Sequence, residues 1–157
     1  MEAEKVFMRE AIRLSIQNVV SDNGGPFGAV IVKEGRIIAR GVNQVTSSND
    51  PTAHAEVVAI RNACKTLGNF QLDGCEIYTS CEPCPMCLGA IYWARPDKVY
   101  YANTKKDAAD INFDDDFIYD EIALPIGDRK LETVQLLRDE AQVAFVEWIK
   151  STGKTEY

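Results

Sequence analysis

Residues 76–102 read E-I-Y-T-S-C-E-P-C-P-M-C-L-G-A-I-Y-W-A-R-P-D-K-V-Y-Y-A, and this stretch decides the fold class. Glu76 to Thr79 has the β-branched and aromatic content of a strand. A loop of three cysteines follows, and Leu88, Ile91 and Ala94 then recur at helical spacing until Arg95 and Pro96 end the run. Lys98 to Ala102 is again strand-like. Strand, helix, strand within one short segment predicts a layered α/β sheet.

Working outward, the same alternation continues. Glu4 to Val19 carries Phe7, Ala11, Leu14 and Ile16 near helical spacing, and S-D-N-G-G-P stops it. Gly28 to Val32 and Arg36 to Ala39 are short apolar runs around Glu34 and Gly35, the pattern of a hairpin. Asp50, Pro51 and Thr52 offer a helix start, Val57, Ile60, Cys64 and Leu67 continue it, and Gly68 closes it. His54 and Glu56 then fall in the first turn. In the tail, Val134 to Leu137 reads as a last strand and Ala141 to Lys150 as a last helix. No repeat or linker-like tract divides the chain, so residues 1–157 are expected to form one domain, α/β, with helices on both faces of the sheet.

Composition narrows the function classes. The formal charge is -7 and no Lys/Arg cluster exceeds a pair, so no footprint for a phosphate backbone is visible and no nucleic-acid partner is expected. A small uncharged substrate suits that balance better. The apolar runs are too short to cross a bilayer, and M-E-A-E-K lacks the basic start and apolar stretch of a signal peptide, so no membrane partner and a cytoplasmic location are expected. The five cysteines are an odd number, and Cys81, Cys84 and Cys87 lie within seven residues of one another, which favours metal over disulfides and a reducing compartment.

The chain has one histidine, His54, two residues before Glu56 in T-A-H-A-E. With Cys84 and Cys87 it supplies one imidazole and two thiols, a ligand set for one zinc ion with Glu56 left over as a carboxylate that need not bind it. Three protein ligands leave a fourth position open, where water falls from a pKa of about 15.7 to roughly 7. Two thiolates also cancel the ion's charge. Cys84 and Cys87 sit at a helix N-terminus, whose dipole favours thiolate. Other readings stand beside this one. His54 can be an ordinary core or surface histidine, Cys84 and Cys87 a redox pair, and Glu56 a residue that merely stabilises its helix. Cys81 could join the three ligands in a closed structural site that leaves no room for water. Cys64 and Cys75 read as packing residues.

H-x-E followed by P-C-x-x-C is the pattern of zinc nucleobase deaminases. P-T-A-H-A-E at residues 51–56 and T-S-C-E-P-C-P-M-C-L-G-A-I-Y-W-A-R at 79–95 resemble the cytidine deaminase superfamily, and within it the bacterial guanine deaminases. The likeness extends to G-G-P-F-G-A-V-I-V around Phe27, to N-F-D-D-D-F-I-Y at 112–119 and to the terminal T-E-Y. It implies a three-layer α/β/α sandwich with a mixed five-stranded sheet. It also implies one zinc per subunit on His54, Cys84 and Cys87, with Glu56 shuttling protons as guanine and water become xanthine and ammonia.

For the substrate the resemblance points to Asn43 as a hydrogen-bonding partner, to Phe27 and Trp93 as aromatic walls, to a contact at Ala55, and to Asp115, or its neighbour Asp114, near the amino group. It further implies a homodimer in which a C-terminal arm, residues 138–157, is exchanged so that Tyr157 closes the partner's site. Bland readings remain for each: core packing for Phe27 and Trp93, turn shaping for Asn43, a solvated acidic run for 114–116, a frayed end for Tyr157. Against deamination of guanine stand three alternatives. They are another nucleobase or nucleoside such as guanosine or cytosine, an adenosine in tRNA, and a non-enzymatic protein with structural zinc.

Overall fold

The computed structural model describes residues 2–113 and 115–157. In chain order the elements are α1 (Glu2–Val20), β1 (Gly28–Lys33), β2 (Arg36–Val42), α2 (Val45–Ser48), α3 (Ala55–Leu67), β3 (Cys75–Cys81), α4 (Pro85–Ala94), β4 (Lys98–Asn103), α5 (Lys105–Ala109) and α6 (Asp116–Ala123). A 3-10 turn, Ile126–Asp128, and α7 (Arg138–Lys150) complete the chain. Two compact units divide it, residues 1–117 and residues 118–157. No described helix is long and apolar enough to cross a membrane.

The first unit holds a mixed sheet in the order β2-β1-β3-β4, with β1 antiparallel to both neighbours and β3 parallel to β4. Strand alternation sorts the core into two layers. Ala29 and Ile31 of β1 and Ile77 of β3 face Ala55, Ala59 and Ala63 of α3 and Ile91 and Ala94 of α4. Val30, Val32 and Tyr78 point the other way, against Phe7, Met8 and Leu14 of α1. The unit is therefore helix, sheet, helix, as expected. At the hairpin, Glu34 and Gly35 both take positive φ, 50° and 71°, the backbone of a two-residue type I′ turn.

One glycine sets where α3 lies. A Cβ on Gly41 of β2 would collide with the carbonyl of Ala55 and the amide of Ala59, so only glycine lets α3 approach the sheet this closely. Because Ala55 begins α3, this contact fixes the turn that carries His54 and Glu56. Gly41→Ala is expected to lower the melting temperature by about 5 °C, the scale of an overpacked core site, and to lower the zinc retained after purification. Calorimetry with metal analysis checks both.

Several expectations need correction. α3 starts at Ala55, not near Pro51, because the Asp50 carboxylate accepts from the Thr52 amide and hydroxyl and folds residues 50–54 into a turn. His54 is the N-cap, while Glu56 does lie in the first turn. The strands run longer than expected, β2 to Val42 and β3 from Cys75 to Cys81. The sheet has four strands among the described residues, not five. Val134–Leu137 forms no ladder, its Val134 and Leu136 are exposed, and a segment without a pairing neighbour is not held as strand. Leu137 instead takes a positive φ of 53° and leads into α7.

In the second unit Arg129 donates to the carbonyls of Ile122 and Leu124, and Glu121 accepts from the Lys130 amide, closing the chain back on the end of α6. α7 begins three residues before the expected Ala141 and has no buried residue. Val143, Phe145, Val146, Trp148 and Ile149 are all exposed along it.

Candidate active site

Two helix starts and one strand end meet in the first unit. Cys84 is the N-cap of α4, Pro85 fills the first helical position, and Cys87 follows in the first turn, where its amide donates to the Cys84 sulfur at 3.4 Å. His54 occupies the corresponding N-cap of α3. Its Nδ1 lies 3.5 Å from Cys84 Sγ and 3.5 Å from Cys87 Sγ, and the three ligand atoms fall within 4.8 Å of one another. An ion bonded tetrahedrally at about 2.0 Å to nitrogen and 2.3 Å to sulfur separates those atoms by about 3.5 Å. The residues present therefore fit zinc, and the fit rests on the chain's own geometry.

Cys81 does not join them. It belongs to β3, is buried, and its Sγ lies 3.6 Å from the Thr104 carbonyl, while burial pushes its thiol up to about 11. The metal-ligating group found among the described residues is His54, Cys84 and Cys87, so the four-ligand closed site is not formed. Cys64 and Cys75 pack in the α3 side of the core, as expected.

The electrostatics suit a metal site. A hydrogen bond from the Cys87 thiol, with further help from His54 and the Cys87 amide, draws Cys84 down to about 4. Cys87 moves the opposite way, raised by its Cys84 neighbour and by burial. The two sulfurs thus share one proton at neutral pH. The Cys84 sulfur beside His54 raises the imidazole above its ordinary value.

Glu56 is 5% exposed and its pKa is raised, chiefly by burial. Its Oε1 accepts from Thr79 Oγ1 at 2.8 Å, and its Oε2 lies 3.3 Å from Cys87 Sγ. A buried carboxyl held beside three metal ligands, with a pKa moved toward neutrality, is poised to take and give protons.

These groups open into a cavity of about 430 Å³ lined by residues of the first unit. Phe27 lines it and meets Phe113 edge to face, ring centres 5.0 Å apart. Asn43 is 6% exposed and also lines it, and its Oδ1 accepts from the amides of Gly25 and Val45, so it shapes the turn and faces the cavity at once. Asp115 lines the cavity too, while Asp114, weighed beside it, lies outside the described residues. Ala55 is fully buried against Gly41 and Trp93 is 64% exposed on α4, and neither lines the cavity. Tyr157 belongs to the second unit and is 68% exposed.

Sequence reasoning missed Thr79, Phe113 and Lys105. Lys105 and Ala108 reach the cavity because Thr104 and Asp107 form a capping box that starts α5, a T-x-x-D pattern visible in the sequence but not used. For Thr79 the signal was present only as a polar residue closing an apolar strand.

Comparison with known proteins extends the picture. Residues 1–103 match the cytidine and deoxycytidylate deaminase zinc-binding region. Guanine deaminase of Bacillus subtilis is 56% identical over 98% of each chain, and its X-ray structure superposes with a TM-score of 0.95 over the same share of both. A guanine deaminase structure from Nitrosomonas europaea matches with a TM-score of 0.66 and 30% identity, covering 92% of this chain and 84% of that one. A tRNA-specific adenosine deaminase of Aquifex aeolicus is 45% identical over 65% of this chain and 64% of its own. With a cluster that fits zinc, the buried glutamate and the sandwich in place, the chain belongs to the cytidine and deoxycytidylate deaminase zinc-binding family.

Proposed function

We propose that this protein is a zinc-dependent guanine deaminase that converts guanine and water to xanthine and ammonia. One observation carries the choice of substrate: the likeness to a guanine deaminase runs the whole chain, including the cavity wall beyond the family-wide region. That region ends at residue 103, whereas Lys105, Ala108, Asn112, Phe113 and Asp115 also line the cavity. The tRNA-specific relative matches about two thirds of the chain. A formal charge of -7 also suits a free base better than a polyanion.

His54, Cys84 and Cys87 hold the metal. When bound there, zinc supplies a Lewis acid that makes water a nucleophile near neutral pH. Glu56 takes a proton from the attacking water and passes it to the ring nitrogen N3 beside the amino-bearing carbon C2, then takes the proton left on the added oxygen and delivers it to the amino group, which leaves as ammonia. Its burial keeps the pKa high enough to give the proton back. Phe27 and Phe113 present aromatic edges and faces to a planar base, Asn43 offers its side-chain amide, and Asp115 accepts from an amino or ring N-H.

Residues 1–157 act as one deaminase domain, and the protein is a cytoplasmic homodimer. The arm 138–157 is exchanged between subunits, placing Tyr157 at the partner's cavity. The exposed apolar side chains of α7 support this, since a 13-residue helix with no buried residue has no core of its own. Trp93 and the Ala55 backbone are kept as candidate substrate contacts on the resemblance alone. The test is ammonia release by the zinc-loaded protein from guanine, guanosine, adenine, cytosine, cytidine and a tRNA anticodon stem-loop. Turnover of guanine above all others is expected; turnover only of another substrate overturns the substrate assignment.

A further inference from the structure

Along β3, alternate residues Cys75 and Ile77 face the α3 side, and Thr79 continues that row at the point where Glu56 projects from α3. Thr79 is 1% exposed, so its hydroxyl has left water and valine would fill the same volume without a polar group. The one side-chain bond that repays this desolvation is donation from Oγ1 to Glu56 Oε1 at 2.8 Å. Among the described residues the hydroxyl has no other acceptor. Glu56 Oε2 meanwhile faces the ligand cluster, 3.3 Å from Cys87 Sγ.

We infer that Thr79 is the positioning residue of the proton shuttle: by donating to Oε1 it reserves that oxygen as an acceptor and leaves Oε2 as the only site where Glu56 carries the catalytic proton. The proton taken from water is then held on Oε2 and leaves from Oε2 to the base, and the Thr79 hydroxyl keeps its own throughout. The carboxyl need not rotate between taking and giving. A freely turning carboxyl would present its proton to the base only part of the time, so the device acts on turnover and not on substrate binding. The inference rests on the deaminase reading and on no particular substrate.

The test compares Thr79→Val and Thr79→Ser, zinc-loaded, on whichever base of the panel the wild type turns over fastest. Failure of guanine in that panel therefore leaves this comparison intact. Thr79→Val is expected to lower kcat about 10- to 100-fold, the factor that loss of one hydrogen bond to a charged group corresponds to. KM should stay within about twofold and zinc at one per chain, while Thr79→Ser, which keeps the hydroxyl, stays within about threefold of wild type. Crystal structures give a readout independent of activity: Glu56 in one orientation in wild type and the serine variant, rotated or in two orientations in the valine variant. Should Thr79→Val not fold, Thr79→Ala gives the same comparison. Unchanged kcat in the valine variant, a serine variant as slow as the valine one, or a loss confined to KM or zinc content overturns the inference.

Discussion

Replacing Glu56 by glutamine is expected to cut turnover at least a thousandfold, at the high end of the roughly 100- to 10,000-fold contributed by a general acid-base group, because in the proposed mechanism this residue serves as base and acid in turn. Zinc should remain at one per chain, since the proposed ligand atoms belong to His54, Cys84 and Cys87. A structural zinc protein would show no such split between metal content and chemistry. The same substitution carries a stability consequence of opposite sense. Burial raises the Glu56 pKa above its unfolded value, so in the metal-free protein this group contributes fully at pH below the unfolded pKa and that contribution is lost as pH rises through the folded one. Glutamine cannot ionise. The metal-free Glu56→Gln protein is therefore expected to melt above metal-free wild type, by a margin that grows with pH, a trade of stability for activity at a functional site. Activity assay, metal analysis and melting curves at several pH values check the three statements together, and retained turnover would remove Glu56 from the shuttle.

How much of this was legible in the sequence depended on whether one local rule governed the residues concerned. Cys84-Pro85-Met86-Cys87 held because spacing, helix start and proline all act within a single turn, and the structure places both sulfurs as that geometry requires. The Glu34-Gly35 hairpin held for the same reason. The start of α3 was misplaced because two local signals competed: Pro51 and Thr52 suit a helix start, but the Asp50 carboxylate captured Thr52 first. Thr79 and Phe113 were invisible because their roles depend on partners 23 and 86 positions away, Glu56 and Phe27. No periodicity reports such pairings. The expected fifth strand failed on the same ground, since a short apolar run such as Val134 to Leu137 describes what a strand can do and only a neighbouring ladder makes it one.

Removing the metal should abolish turnover, and restoring it should report the protonation of the ligands. At neutral pH the metal-free thiol pair holds about one proton, since Cys84 is drawn down by its Cys87 neighbour while Cys87 is raised by Cys84 and by burial. Binding needs both sulfurs deprotonated and His54 neutral. Zinc is therefore expected to release one proton from the thiol pair, the fraction of His54 that is protonated, and the fraction of its bound water that ionises. Because the His54 pKa is raised, its share is lost as pH rises through the folded value, while the share from the bound water, with a pKa of roughly 7, grows in its place, so release should be near two per zinc both well below and well above neutrality. Titration calorimetry in buffers of different ionisation enthalpy measures the number directly. Three protons per zinc under alkaline conditions would mean that Cys84 and Cys87 do not share one. Cys87→Ser removes that proton and a ligand together, so it should bind zinc at least about a hundredfold more weakly, with turnover lost in proportion at limiting metal. Cys81→Ser, changing a thiol that bonds to the Thr104 carbonyl and lies outside the ligand set, should leave the proton count unchanged. The contrast between two cysteines six positions apart then assigns the chemistry to the ligand geometry and not to thiol content.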